Sequence, residues 1–444
     1  MFLPVILLLA PVIGLAPPLD TRIDPSRITT MPAPAAQDEV IPATSAVHRI
    51  AKDLADVPMP LPEATRARAA LERGVSWLLV HQDTGGGWGG GAMATPTDAP
   101  DDPPTPAAAA ITGLGIKAVA QCGCTPSTAL QPAIERLRLA RRADFGIDGG
   151  PLTTYVVATI TSGLASLQDP AMDDLVQDGV ASLRNMQWDQ GEGLQANQDW
   201  YGGAGYGSRG RPDLSNTQIV LDALHDADVP SDDLAFQRAV VFLTRCQNLN
   251  ATNPADWAGT DGGFVYTPAN GGESLGSEFA GHGRHGNENL APGEARSLRS
   301  YGSMTYAGYK SMLYAGLGPD DPRVHAALDW IRGHWTFASN PGLGQQGYFY
   351  YLYTMSRALR ASGLDDVIAT NGLSHDWRSE MARAIIRRQN DDGSWVNPED
   401  RWLEGRPDLS TIYAVLALEE ILKPAASKRS EPATPPTTPK DTQR

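Results

Sequence analysis

Apolar positions follow two patterns along this chain, and the patterns alternate. In one kind of segment they return every three to four residues. Between Ala64 and His81, Gly74, Trp77, Leu78 and Gln82 share a face at offsets of three, four and eight, the signature of an amphipathic helix. Gly179, Leu183 and Gln187 repeat the spacing, and Ala239, Phe242, Leu243 and Gln247 follow it closely. Ala327, Trp330 and Ile331 keep it with Trp335 in the Gln position, while 132–142 keeps the helical pattern without the Gln. A sixth copy ends at Gln389. In the other kind of segment, such as Ala107 to Val119 and Val156 to Leu167, apolar and small residues occupy nearly every side, which predicts a buried helix. These second helices begin near Thr105, Thr153, Asp213, Ser303, Gly347 and Asp408.

Six amphipathic helices alternating with six buried ones predict an all-α fold, an (α/α)6 toroid of six helix-pair repeats with the buried helices as its inner layer. The joints are marked. Gln82-Asp-Thr-Gly-Gly-Gly-Trp88 and Gln389-Asn-Asp-Asp-Gly-Ser-Trp395 share one spacing. A Gly there suits a helix C-terminus, which often needs a left-handed residue, the aromatic covers the helix end, and the Gln amide bonds orphan backbone groups. A small residue such as Gly74 lets two helices approach closely. The inner-helix N-termini, with their partial positive charge, gather at one end of the ring, and function is expected there.

Composition refines the boundaries. Residues 1–16 are apolar and resemble a secretory signal, so export to the periplasm or cell envelope is expected, with a retained N-terminal anchor as the alternative. Residues 17–62 are rich in Pro and Ala and read as a linker, 63–423 form the toroid, and 424–444 read as a disordered tail. The net charge of −15 argues against a nucleic-acid partner. Of the three cysteines, Cys122 or Cys124 could pair with Cys246 in an oxidising compartment; the simpler expectation is three ordinary thiols.

The run Arg73-Gly-Val-Ser-Trp77-Leu-Leu-Val-His-Gln82 with Gly86-Gly-Trp88 resembles the QW repeat of squalene and oxidosqualene cyclases, whose toroid is shared by protein prenyltransferase β subunits. Tyr301 to Tyr314, Asp376-Trp-Arg378, Gln389 to Trp395 and Arg401-Trp402 look like exported bacterial prenyltransferase/squalene oxidase repeat proteins, which carry no assigned activity. The resemblance spans the globular part and implies the toroid. Squalene–hopene cyclases open an inner helix with Asp-x-Asp-Asp-Thr. The nearest match here is Asp213-Leu-Ser-Asn-Thr217, with Ser215 and Asn216 in place of the central carboxylates. The Asp-x-Cys of zinc-dependent prenyl transfer is missing from the inner-helix starts. The expected function is therefore binding of an isoprenoid, lipid or other amphipathic ligand, or a protein segment, without acid-initiated cyclisation and without a cofactor. An isoprenoid-processing or carbohydrate-active enzyme, acting on a glycan, and a structural envelope-protein partner are the alternatives.

The candidate residues follow. Gly210-Arg-Pro-Asp-Leu-Ser215 recurs as Gly405-Arg-Pro-Asp-Leu-Ser410. The copies lie three repeats apart, so Asp213 and Asp408 should face each other across the ring, as a catalytic carboxylate pair or as two helix N-caps; Arg211 and Arg406 could pair with them. Ser215, Asn216, Tyr301, Tyr306, Tyr350 and Tyr413 are expected to line the cavity. Lys310, inside an apolar helix, would snorkel or pair with a carboxylate such as Asp408. His282, His285 and Glu288 have metal-ligand spacing, but their Gly-rich surroundings favour a surface loop, and no metal site is expected.

Overall fold

A computed structural model describes residues 50–90, 104–124, 127–139, 150–207, 210–268 and 300–424. The chain divides after Ala43, and every described residue belongs to the unit that follows. The expected signal, most of the linker, the tail beyond Pro424 and the His282, His285 and Glu288 cluster lie outside the described residues.

Twelve α-helices are found among the described residues: α1 Leu61–Val80, α2 Pro106–Cys122, α3 Gln131–Leu139, α4 Thr153–Ala165, α5 Asp173–Asn185, α6 Leu214–Asp226, α7 Leu234–Cys246, α8 Gly302–Tyr314, α9 Pro322–Gly333, α10 Tyr348–Ser362, α11 Trp377–Ile386 and α12 Pro407–Leu422. The even-numbered helices form the inner layer. Each packs on the next, and α12 packs back on α2. The odd-numbered helices pack outside them. The expected all-α toroid is the observed fold, with one addition: a small antiparallel hairpin, Asp366–Ile368 paired with Ser374–Asp376, joins α10 to α11.

The inner helices are buried on most sides for the reason their composition indicates, and glycines set their spacing. A Cβ on Gly113 would lie 2.7 Å from the Thr159 backbone and one on Gly163 would lie 2.3 Å from the Gly113 carbonyl oxygen, so α2 and α4 touch backbone to backbone. Gly74 does the same work for an outer helix, facing the Trp395 ring at 2.7 Å.

The joints carry a division of labour. Trp88 Nε1 donates to Leu78 O and Trp395 Nε1 to Ile385 O, both at 2.9 Å, so each indole adds a second bond to a carbonyl in the last turn of its own outer helix, beside the one from the chain that follows. The Gln amide works differently from the expectation. Gln187 Nε2 donates to Gly202 O in its own turn and to Ala235 O in the next outer helix, both at 2.9 Å. Gln247 repeats this with Gly262 O at 2.9 Å and Arg323 O at 2.8 Å. Gln389 reaches Gly393 O and, across the seam, Ala70 O, both at 2.9 Å. It therefore stitches neighbouring repeats together instead of capping its own helix. Gln82 Nε2 is buried without a partner among the described residues.

The seam between the last and first repeats is reinforced. Trp77 Nε1 donates to Asp392 Oδ2 at 3.1 Å, and Ala51 N donates to Leu422 O at 2.9 Å. Residues from Ile50 on thus already pack against the ring, with Ile50 and Val57 buried. Cys122 and Cys124 form a disulfide with each other, and Cys246 is a buried free thiol. Both readings of the cysteines are thereby corrected: only Cys246 is an ordinary buried thiol, and it has no bridge because Cys122 and Cys124 are bonded to each other two residues apart.

Candidate functional site

The ring encloses a cavity of about 340 Å³ at the N-terminal ends of the inner helices. Every inner helix or the turn leading into it contributes: Ala107, Tyr155, Ser215, Ser303, Gly347 and Leu409 all line it. One wall is aliphatic, built by α2 with Ala110, Ile111 and Leu114. Tyrosine hydroxyls and a few amides mark the rest. Arg401 is the one charged side chain among the described lining residues. Its guanidinium stacks 4.8 Å from the centre of the Trp402 ring, and Trp402 is 40% exposed, so the cavity meets the surface there.

The expected residues distribute as follows. Ser215, Tyr301, Tyr350 and Tyr413 line the cavity. Tyr350 and Tyr413 meet edge to face with ring centres 5.8 Å apart. Tyr306 is buried behind the wall, edge to face against Tyr351 at 5.7 Å. Asn216 is also behind it, donating from Nδ2 to Asp213 Oδ2 at 2.8 Å.

Asp213 is the N-cap of α6. Its Oδ1 accepts from the Asn216 backbone N at 2.8 Å and from Ser215 Oγ at 2.7 Å. Burial pushes its carboxyl up, against hydrogen bonds from Asn216 and Ser215 that pull it down. Asp213 is covered by the wall, and Ser215 Oγ is the atom that carries its influence to the cavity. Tyr266 Oη lies 3.3 Å from that hydroxyl.

Asp408 has another task. It stands inside the first turn of α12, after Pro407, instead of at the N-cap position. Arg406 binds it at 2.8 Å, as expected. Its Oδ2 also accepts from Gly89 N at 3.0 Å, while Arg406 Nη2 donates to Gly90 O at 2.6 Å. The second Gly-Arg-Pro-Asp-Leu-Ser copy thus clamps the last repeat onto the turn of the first. Identical letters do two jobs because Asp213 meets its own helix and Asp408 meets a neighbour.

Several participants were not expected. Tyr206 and Tyr266 line the cavity beside Tyr155. Their signal is in the sequence: Gly202-Gly-Ala-Gly-Tyr206 and Gly262-Gly-Phe-Val-Tyr266 place a Tyr four residues after the joint glycine. The N-terminus of α10 is capped from afar by Glu404, which accepts from Phe349 N at 3.2 Å and Tyr350 N at 2.7 Å.

The largest omission lies deeper in the ring. Lys310 pairs with Asp222 at 2.7 Å, which corrects the expected Asp408 partner: Asp222 lies on the adjacent α6, whereas Asp408 belongs to the seam. Lys117 and Arg357 both pair with Asp226, at 2.5 and 2.8 Å. Ser162 Oγ donates to Asp226 as well. On their own helices Arg357 stands seven residues below cavity-lining Tyr350, Lys310 six below Met304 and Lys117 three below Leu114, depths of about 10, 9 and 5 Å at helical rise. Five charged side chains therefore close the centre of the ring beneath the cavity. Burial, partly offset by Asp222, draws the Lys310 ammonium down to about 8. No group of three or more His, Cys, Asp or Glu side chains fit to hold a metal occurs among the described residues.

No family model matches this chain, and no curated protein sequence matches it. Solved structures similar to it include a type II terpene cyclase from Scytonema in complex with geranylgeranyl dihydroxybenzoate, with a TM-score of 0.45 and 13% identity over 83% of this chain and 99% of that one. Another is a D-mannose isomerase, with a TM-score of 0.48 and 12% identity over 80% of this chain and 97% of that one. Likenesses this distant say nothing of what the chain does; the closed ring of six helix pairs is established by its own packing.

Proposed function

We propose that the ring binds an apolar or amphipathic small molecule, of isoprenoid or lipid character, in its central cavity, without acid-initiated cyclisation. The observation that carries this is the lining: an aliphatic wall from α2, tyrosines around it, and no carboxylate among the described lining residues. A volume of about 340 Å³ falls at the small end of the usual range for ligand pockets, roughly 300–1,000 Å³. Farnesol should raise the melting temperature in a concentration-dependent way, since a ligand that binds only the folded state stabilises it. Ala110→Trp should fill the cavity and abolish the shift. If farnesol, dodecanol and palmitate all leave melting unchanged, or Ala110→Trp keeps the response, the reading fails.

One observation favours isoprenoid-processing chemistry as a second reading. Asp213 has a raised carboxyl pKa and lies one hydroxyl from the cavity, at 2.7 Å from Ser215 Oγ; in the relay the Ser215 hydroxyl turns from donating to Asp213 to protonating a bound alkene, and a protonated Asp213 returns a proton to it. Asp213→Asn should then abolish turnover of an isoprenoid alcohol while leaving its binding in place; unchanged turnover removes Asp213 from the chemistry. Glycoside hydrolysis by a carboxylate pair asks for two carboxyls about 5–10 Å apart on the cavity, and this lining supplies none among its described residues. We read residues 1–16 as the export signal that would take the protein to the cell envelope; N-terminal sequencing of the mature protein tests this.

A further inference from the structure

Tyr350 is joined to the buried charges by a short directional chain. Lys310 Nζ lies 2.7 Å from Gln218 Oε1 and 2.7 Å from Asp222 Oδ2. Gln218 Nε2 lies 3.0 Å from Tyr350 Oη, and the Tyr350 ring lines the cavity. The direction of each bond follows from which groups own protons. An ammonium can only donate, so the Gln218 oxygen must face Lys310. The amide of Gln218 therefore turns its NH2 to Tyr350, and the phenol oxygen must accept. Tyr350 keeps its own proton for another partner.

We propose that Lys310 and Gln218 fix Tyr350 as the hydrogen-bond donor of the cavity, and that the ligand is an apolar molecule bearing a carbonyl-type acceptor oxygen. The proposal rests on the cavity-binding reading and sharpens it. A donor in the wall of a largely apolar enclosure discriminates well, because a ligand with no acceptor leaves a desolvated hydroxyl unpaired. The Thr354 hydroxyl lies beside the same phenol and is the rival acceptor; its own proton goes to the Tyr350 carbonyl oxygen at 2.9 Å.

Two probes of equal shape separate these destinations. 2-Acetylnaphthalene carries a ketone, and 2-isopropenylnaphthalene replaces the oxygen by a CH2. The full-length protein should bind the ketone about fivefold or more tightly than the alkene, as one neutral hydrogen bond allows, and the bound ketone's infrared carbonyl band should shift to lower frequency. Tyr350→Phe should erase both the preference and the shift, by weakening the ketone and by tightening the alkene, which no longer leaves a hydroxyl unpaired. Gln218→Glu is the sharper variant. A carboxylate accepts from Lys310 and from Tyr350 together, so it should turn the phenol proton away and erase the preference with Tyr350 still present. The two carboxylates facing three cations in that layer leave room for the added negative charge. Equal binding of the two probes by the unaltered protein, or a preference that survives either substitution, overturns the donor assignment and leaves the cavity reading standing. If neither probe binds, the donor assignment falls, and the melting response to farnesol, dodecanol and palmitate decides whether the cavity reading falls with it.

Discussion

Glu419 is a buried acid with neither carboxyl oxygen hydrogen-bonded among the described residues. Burial pushes its carboxyl well above the usual 4.5, against the attraction of Lys423. It holds its proton to higher pH in the fold than in the unfolded chain, where a Glu ionises above about pH 4.5. The unfolded state then binds fewer protons, so this residue makes stability fall as pH rises, by at most about 1.4 kcal/mol per unit, until the folded carboxyl also ionises. Glu419→Gln removes that slope. Urea unfolding should show its stability relative to the parent growing from pH 4.5 to 7; a constant difference would mean Glu419 is ionised in the fold. Gly74 tests packing at the same scale. Alanine there improves helix propensity by up to about 1 kcal/mol, but its methyl would lie 2.7 Å from the Trp395 ring and 2.9 Å from Val415. Overpacking of that kind costs roughly 1–3 kcal/mol, so Gly74→Ala should lower stability. A rise in melting temperature would show that the indole moves aside freely. The small residue at this position was legible in the sequence because only its size matters. Glu419 was not, since its burial depends on every helix around it.

At the scale of elements, outer and inner helices were legible because each kind writes its environment into its composition. A half-buried helix repeats its apolar residues, and a fully buried one drops its polar residues. The joints were legible as spacing but misread in purpose. A joint Gln contains no record of the neighbouring repeat, so a bond from Gln247 to Arg323 O, 76 residues on, had no local signal. A consequence can be measured. Gln247→Ala strands the Gly262 carbonyl and removes the cross-repeat bond to Arg323 O, whose helical bond remains, and should cost roughly 1–3 kcal/mol. Gln82→Ala should cost little, within about 0.5 kcal/mol, because the Gln82 amide nitrogen is already unpaired among the described residues. Thermal unfolding of the two variants side by side checks this; equal losses would refute the stitching role. The cavity end was legible from the inner-helix starts, and four of the six expected lining residues are there. Tyr306 and Asn216 were misplaced because sequence position marks a depth along a helix but not which side faces the cavity. The charged layer beneath was invisible for a related reason. Lys117, Asp222, Asp226, Lys310 and Arg357 are scattered through 241 positions, and only closure of the ring gathers them.

At the scale of the molecule, closure itself is the property to test. Asp408 and Arg406 hold the last repeat on Gly89 and Gly90 of the first. Asp408→Ala should speed amide exchange at residues 82–90 and in α1 while α6 stays protected; Asp213→Ala should do the reverse. Exchange that rises uniformly in both variants would show the seam to be no weaker than any other joint. The bond from Gln389 to Ala70 spans 319 residues. Bringing two points so far apart together costs a flexible chain about 5 kcal/mol beyond a constant term, so the seam should form last, after neighbouring repeats have stacked. A ring whose ends are pinned by Ala51 on Leu422 also has no privileged beginning. A circularly permuted chain, joined from Lys423 to Ile50 and opened in the turn after Asp226, should reach the same ring with its slow closing step relocated to the α6–α7 joint.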